Sequence, residues 1–279
     1  MSQVDVARRL SLSTATVSRL LQKARAEGVV RIEVMDLIEP DELAKEVARA
    51  QSLKRVAVVE GTGAGALASL AGPVGTMLRD AGLSNGSVLA IGWGRAVRAV
   101  IEAGLPELPG VLTVPVTGGM QQHQPHFQVN EFVRLAALQM GGTPRFVHAP
   151  YLPAAASRRA YLSDPVVADN VALWDRVDLA IVGIGLPGEP ANVETPRHPN
   201  AAGDVMRHYF DADGTLLDRG NEKRMIAMSV DQLRRTPLVI GVAVGEAKVA
   251  AIRGAAKAKL ISALVTDVRT AEKLLETPI

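Results

Sequence analysis

From Arg55 onward, short runs of Val, Ile, Leu and Ala alternate with longer stretches of helical periodicity. No other feature narrows the fold as far. The runs occupy residues 56–59, 88–91, 111–116, 179–182, 238–242 and 263–265. Each is apolar at consecutive positions, so each reads as a strand buried on both faces. Strands of that kind, separated by helices, form a mainly parallel sheet with helices packed on both faces. The pattern predicts an α/β body.

Composition supports a large core and removes several alternatives. Of 279 residues, 48% are hydrophobic and 22% charged, as in an ordered globular chain. Only 3% are aromatic, so aliphatic side chains have to fill the interior. Cysteine is absent, which excludes disulfides, thiolate metal centres and thiol catalysis. No apolar run reaches the roughly 18 residues of a spanning helix, and no signal-peptide core follows Met1. The expectation is a soluble, cytoplasmic protein with no membrane partner.

Charge is distributed unevenly. The net charge is +2, but residues 1–35 hold six Lys/Arg against three Asp/Glu, leaving the remainder one charge negative. A basic end on a neutral body fits a polyanion partner for that end alone. Within it, Val4, Ala7 and Leu10 share one helical face, the pattern breaks at residues 11–13, and Val17, Leu20, Leu21 and Ala24 form a second stripe. Ser13 is placed to cap the second helix and Gly28 to end it. Two short helices and a tight turn make a helix-turn-helix, whose second helix enters the major groove. Its polar face carries Thr14, Ala15, Thr16, Ser18, Arg19, Gln22 and Lys23 behind the capping Ser13, with no acid among them. Arg19 and Gln22 are long enough to reach a base edge. No helix precedes these two to complete the usual three-helix core, so the expectation is either a start upstream of residue 1 or a head that is marginal without a partner. Residues 29–34 read as a strand and 41–50 as a short helix. The chain thus divides into a DNA-binding head over 1–38 and a body over 52–279.

Glycine clusters follow several of the body strands. They are Gly92–Trp93–Gly94–Arg95, Gly118–Gly119, Gly183–Ile184–Gly185, and the stretch from Gly241 to Gly245. In an open α/β sheet, ligands bind at the carboxyl ends of strands, where glycine lets helix-start N–H groups approach an anion. Arg95 and Lys248 can add full positive charges. Four such loops predict a pocket for an anionic small molecule. Neither a phosphate-binding G-x-x-x-x-G-K-[ST] loop nor a helix-opening G-x-G-x-x-G occurs, so no nucleotide cofactor is expected. The five histidines follow no metal-ligand spacing, and no metal is expected. Asp211–Ala212–Asp213–Gly214 reads as a β-turn rather than a calcium loop.

Six segments together resemble the SorC family of bacterial sugar-responsive transcription regulators. They are QVDVARRLSLSTATVSRLLQKARAEGVVRIEV (3–34), IGWGRAV (91–97), VPVTGG (114–119), VDLAIVGIG (177–185), AAGDVMRHYFDADG (201–214) and IGVAVGEAKVAAIRGAAKAKLISALVTDVRTAEKLL (240–275). The resemblance implies a helix-turn-helix followed by a sugar-phosphate-binding body of the sugar isomerase/CoA-transferase-like type. It implies a phosphate held at Gly92, Trp93, Gly94 and Arg95, with Gly245 and Lys248 closing over it. Asp204 would accept hydrogen bonds from sugar hydroxyls. Thr117, Gly118 and Gly119 would line the other side, near Gly183 and Gly185. Two positions depart from the family pattern: Ala96 stands where a threonine is usual, and Val244 where a glycine is. The function implied is DNA binding controlled by a sugar or sugar-phosphate effector, in a homodimer or homotetramer. The alternative is a sugar-phosphate isomerase or deaminase on the related fold, for which Asp204 is the one good candidate base.

Overall fold

A computed structural model describes residues 3–26, 41–61, 64–120, 122, 124–187, 198, 200–217 and 223–276. The chain forms two compact units, Met1–Leu37 and Ile38–Ile279.

In the first unit, α1 (Gln3–Arg9) and α2 (Thr14–Ala26) are joined by a four-residue turn. Ser11 adopts φ 55°, and Leu12 N–H reaches back to the Ala7 carbonyl at 2.9 Å. This left-handed termination uses serine where glycine is commoner. Ser13 caps α2 as its spacing predicts: Thr16 N–H donates to Ser13 Oγ at 3.1 Å. Ala7 and Val17 are buried, but Leu10 and Leu20 of the expected apolar stripes are exposed, at 59% and 52%. Two short helices have too little facing surface to cover every apolar position. Gly28 and the strand expected at 29–34 lie outside the described residues.

The second unit is built on a seven-stranded sheet, all parallel. Its strands are β1 (Arg55–Val59), β2 (Val88–Ile91), β3 (Leu112–Pro115), β4 (Thr143–Pro144), β5 (Leu179–Gly183), β8 (Leu238–Val242) and β9 (Ala263–Asp267). The order is β1-β9-β8-β5-β2-β3-β4. A separate antiparallel hairpin pairs β6 (Gly203–Val205) with β7 (His208–Phe210). The mainly parallel sheet and its flanking helices are the α/β body that the periodicity predicts.

Alternate residues of each strand feed two different cores. Val88, Ala90, Ala180 and Val182 face one, while Leu89, Ile91, Leu179 and Ile181 face the other. Period-two side-chain alternation with no polar face leaves both sides needing cover, which explains the continuous apolar runs. Helices α4 (Ala64–Ser69), α5 (Ala71–Asp80), α6 (Arg95–Ala103) and α7 (Val129–Met140) cover the Leu89 side. The other face takes α3 (Asp41–Ala50), α9 (Pro165–Ala172), α10 (Val230–Arg235), α11 (Val249–Lys257) and α12 (Val268–Leu275). The short α8 (Ala155–Ser163) buries no side chain of its own. Each fully buried Leu or Ile in these layers contributes ~1.5–3 kcal/mol. Helix α3 belongs to this body: Val47 is fully buried, and Gln51 Nε2 donates to the Leu274 carbonyl at 3.2 Å.

The strand order also fixes where a ligand can enter. From β2 the chain moves outward to β3 and β4, then returns to place β5 on the opposite side of β2. Loops leaving the carboxyl ends of β2 and β5 therefore diverge to opposite faces and open a crevice between them.

Candidate functional site

A cavity of about 360 Å³ fills that crevice. Its floor is the loop after β2, with Gly92, Trp93, Gly94, Arg95 and Ala96, facing Gly183, Ile184, Gly185 and Leu186 after β5. Val242, Ala243, Val244 and Lys248 close it from the end of β8, and Asp204, Met206 and Arg207 from the hairpin. The volume lies within the ordinary range of small-molecule sites.

Gly94 is the N-cap of α6 at φ 122°, a conformation open to glycine and strained for other residues. Its own N–H donates to the His126 carbonyl at 2.9 Å, which fixes the loop against Pro125–Phe127. The first bond inside the helix runs from Arg98 N–H to the Gly94 carbonyl. Backbone N–H groups ahead of it have no carbonyl to reach within the helix and face the cavity end, where the helix dipole favours an anion. Arg95 adds a guanidinium at the first helical position.

The opposite wall depends on Gly185. Its N–H donates to the Asp204 carbonyl at 2.8 Å, and a Cβ there would overlap the Asp204 carboxylate. Glycine is what lets the hairpin approach β5 closely enough to present that carboxylate. Asp204 is 6% exposed, and its Oδ2 accepts the Arg207 backbone N–H at 2.9 Å. Burial pushes its carboxyl above the ordinary value, against the opposing pull of the Arg207 charge and N–H, Lys248 and His208. Lys248 Nζ donates to the Ile184 carbonyl at 2.7 Å. His208 Nε2 lies 2.8 Å from the Met228 carbonyl and ties the hairpin to the body.

Of the sequence-derived effector residues, Gly92, Trp93, Gly94, Arg95, Ala96, Gly183, Gly185, Asp204 and Lys248 line this one cavity. Thr117, Gly118 and Gly119 do not. The Gly118 and Gly119 N–H groups are spent on the Ile226 and Ala149 carbonyls, and Thr117 is fully buried. Gly245 is also displaced from the wall: its N–H donates to Asp267 Oδ2 at 2.7 Å and Thr270 Oγ1 at 2.9 Å. Val244 beside it and Lys248 three residues on take the lining positions instead. His126, Phe127, Met206 and Arg207 line the cavity without having been singled out. The first two follow no strand, and the last two form a tight turn with none of the usual turn residues.

At the start of α2 and along it, Ser13, Thr14, Ala15, Arg19 and Lys23 are exposed, and Thr16 and Ser18 are half-buried. Ser13 Oγ and Thr16 Oγ1 are 2.7 Å apart and bond one another within the cap. The Gln22 side chain lies outside the described residues.

With the geometry in place, comparison with known proteins decides the family. Residues 35–276 match the family model Sugar-bind, described as "Putative sugar-binding domain". The chain belongs to the Sugar-bind family. Sugar-bind relatives extend over the head as well. The sorbitol operon regulator of Klebsiella pneumoniae is 29% identical over 306 aligned residues, covering 99% of this chain and 93% of the relative. The transcriptional regulator LsrR of Escherichia coli (strain K12) is 26% identical, covering 99% and 90%. The crystal structure of full-length SorC from Klebsiella pneumoniae superposes with a TM-score of 0.75 at 28% identity, covering 99% of this chain and 94% of that one. A probable sor operon regulator from Shigella flexneri gives 0.73 at 29%, over 84% and 98%. The SorC resemblance read from the six segments holds along the chain, and the Sugar-bind match spans the whole cavity. Among the described residues, no helix is long and apolar enough to cross a membrane.

Proposed function

We propose that the chain is a transcriptional regulator that reads operator DNA through α2 and is controlled by a sugar or sugar-phosphate effector in the β2/β5 crevice. One observation carries this: a single chain pairs a capped helix-turn-helix, free of acids on α2, with a separate cavity whose charged walls suit a polar anion. Arg95, Arg207 and Lys248 line that cavity, and Asp204 is the one carboxylate among the described lining residues. Three cations against one acid favour an anionic ligand. The phosphate end would meet the start of α6 at Gly94–Arg95–Ala96. Sugar hydroxyls would meet Asp204 and Lys248.

The relatives named as operon regulators support this reading over catalysis. In this reading the cavity binds its ligand without turning it over, and Asp204 serves as a hydroxyl partner. Two or more heads are needed to read paired half-sites, which points to a homodimer or homotetramer acting on DNA in the cytoplasm. Because effector and DNA bind one protein, each changes the affinity for the other by the same factor.

A thermal-shift screen against plain and phosphorylated sugars tests the effector half. A ligand near 100 times its dissociation constant stabilises the fold by about 2.7 kcal/mol. No shift with any sugar, or turnover of one, would count against the reading.

A further inference from the structure

The turn of the β6–β7 hairpin is two residues long, and neither is one that such a turn prefers. Met206 has φ 53° and Arg207 φ 65°. A two-residue hairpin turn with both central residues at positive φ normally carries Asn-Gly, Asp-Gly or Gly-Gly. Side chains at left-handed φ are strained, and strain of this kind persists where the surroundings or a ligand require it. Both residues line the effector cavity.

Arg207 is also incompletely satisfied. Its Nη1 reaches the Tyr209 hydroxyl at a long 3.4 Å, while its Nε is buried with no hydrogen-bond partner. Among the described residues its guanidinium forms no ion pair. A buried guanidinium nitrogen left unpaired is costly, and a ligand that brought an acceptor to this guanidinium would relieve that cost. Arg207 lines the cavity from the hairpin, and Gly94, Arg95 and Ala96 at the start of α6 line it from the loop after β2.

We propose that Arg207 reads a second anionic group on the effector, a carboxylate at the end of the sugar opposite its phosphate. The effector class is then a phosphorylated sugar acid. This rests on the sugar-effector reading of the cavity given above. A planar carboxylate matches the guanidinium fork with two parallel hydrogen bonds, and its single charge is tolerated beside Asp204 better than a second phosphate.

The test compares linear pairs that differ only at C1: D-glucitol 6-phosphate with 6-phospho-D-gluconate, and the corresponding epimeric pairs. Calorimetric titration of the unmodified protein should favour the acid member of the best pair by about ten- to a hundredfold. Arg207→Gly keeps the backbone N–H that Asp204 accepts and removes the positive-φ side chain. Its melting temperature should rise by about 2–4 °C while the preference for the acid over its uncharged C1 partner disappears. Arg207→Lys keeps the charge without the fork and should fall between. Opposite changes in stability and selectivity separate ligand reading from a structural role. Equal affinity for both members of every pair, or a preference that survives Arg207→Gly, overturns the proposal and leaves the sugar-effector reading standing. Failure of every sugar phosphate to bind overturns both.

Discussion

The Lys248 ammonium donates to the Ile184 carbonyl at 2.7 Å, joining the turn after β8 to the loop after β5 across the mouth of the crevice. The two loops leave neighbouring strands, and this bond holds the lysine where its remaining N–H donors can face the cavity.

Lys248→Ala should therefore weaken a phosphorylated effector by about ten- to a hundredfold, the value of one charge-assisted hydrogen bond. Lys248→Arg should recover only part of that loss, because a planar fork replaces a compact ammonium at a carbonyl set for it. Calorimetric titration gives both numbers. Full affinity in Lys248→Ala would remove the lysine from the site.

Arg19 is exposed on α2, two turns after its cap. If it is bidentate to a guanine, Arg19→Ala should cost roughly 1–3 kcal/mol of operator affinity and relax preference at one base position. Binding measured across an operator library reads both effects. A uniform loss over all sequences would assign Arg19 to a phosphate instead.

The Ser13 cap is testable apart from DNA. Replacing Ser13 with Ala removes the acceptor for Thr16 N–H and should cost about 1 kcal/mol of α2 stability. Amide exchange in residues 14–20 should quicken, while the strands of the sheet keep their protection. Unchanged exchange would mean that the Thr16 N–H is satisfied by the Ser13 carbonyl alone.

Asp204 gives the body a pH dependence of predictable sign. Its folded-state carboxyl is raised by burial, so the native state holds a proton that the unfolded chain has already lost. Stability from this group is fullest below the unfolded value and falls as pH rises through the folded one. Asp204→Asn removes that penalty. The variant's melting temperature, taken relative to the unmodified protein, should climb as pH is raised through the range above the ordinary carboxyl value. A constant difference across that range would show that the carboxylate is stabilised as well in the fold as in water.

The sheet was legible because its signal is local: buried strands such as 88–91 and 238–242 are continuous apolar runs, and the structure places β2 and β8 over those same residues. Two-residue β4 was too short to show a period, and β6 and β7 are three residues each. The glycine loops after β2 and β5 pointed at the crevice because glycine is needed there for approach and cap geometry. Nothing local marks Gly118, which follows a strand in the same way but spends its N–H on Ile226. Arg207 was hidden for the opposite reason. A turn without Gly, Asn or Asp gives no turn signal, and only the positive φ reveals it.

The sharpest test of effector control is the operator affinity measured by fluorescence anisotropy, with and without saturating effector, at fixed salt. The sugar or sugar phosphate that gives the largest thermal shift serves as the effector. The expected result is a change in operator Kd of about 5–150-fold, matched by an equal change in effector affinity when operator is bound. An identical operator Kd with the effector demonstrably bound would contradict control of the head through the β2/β5 cavity.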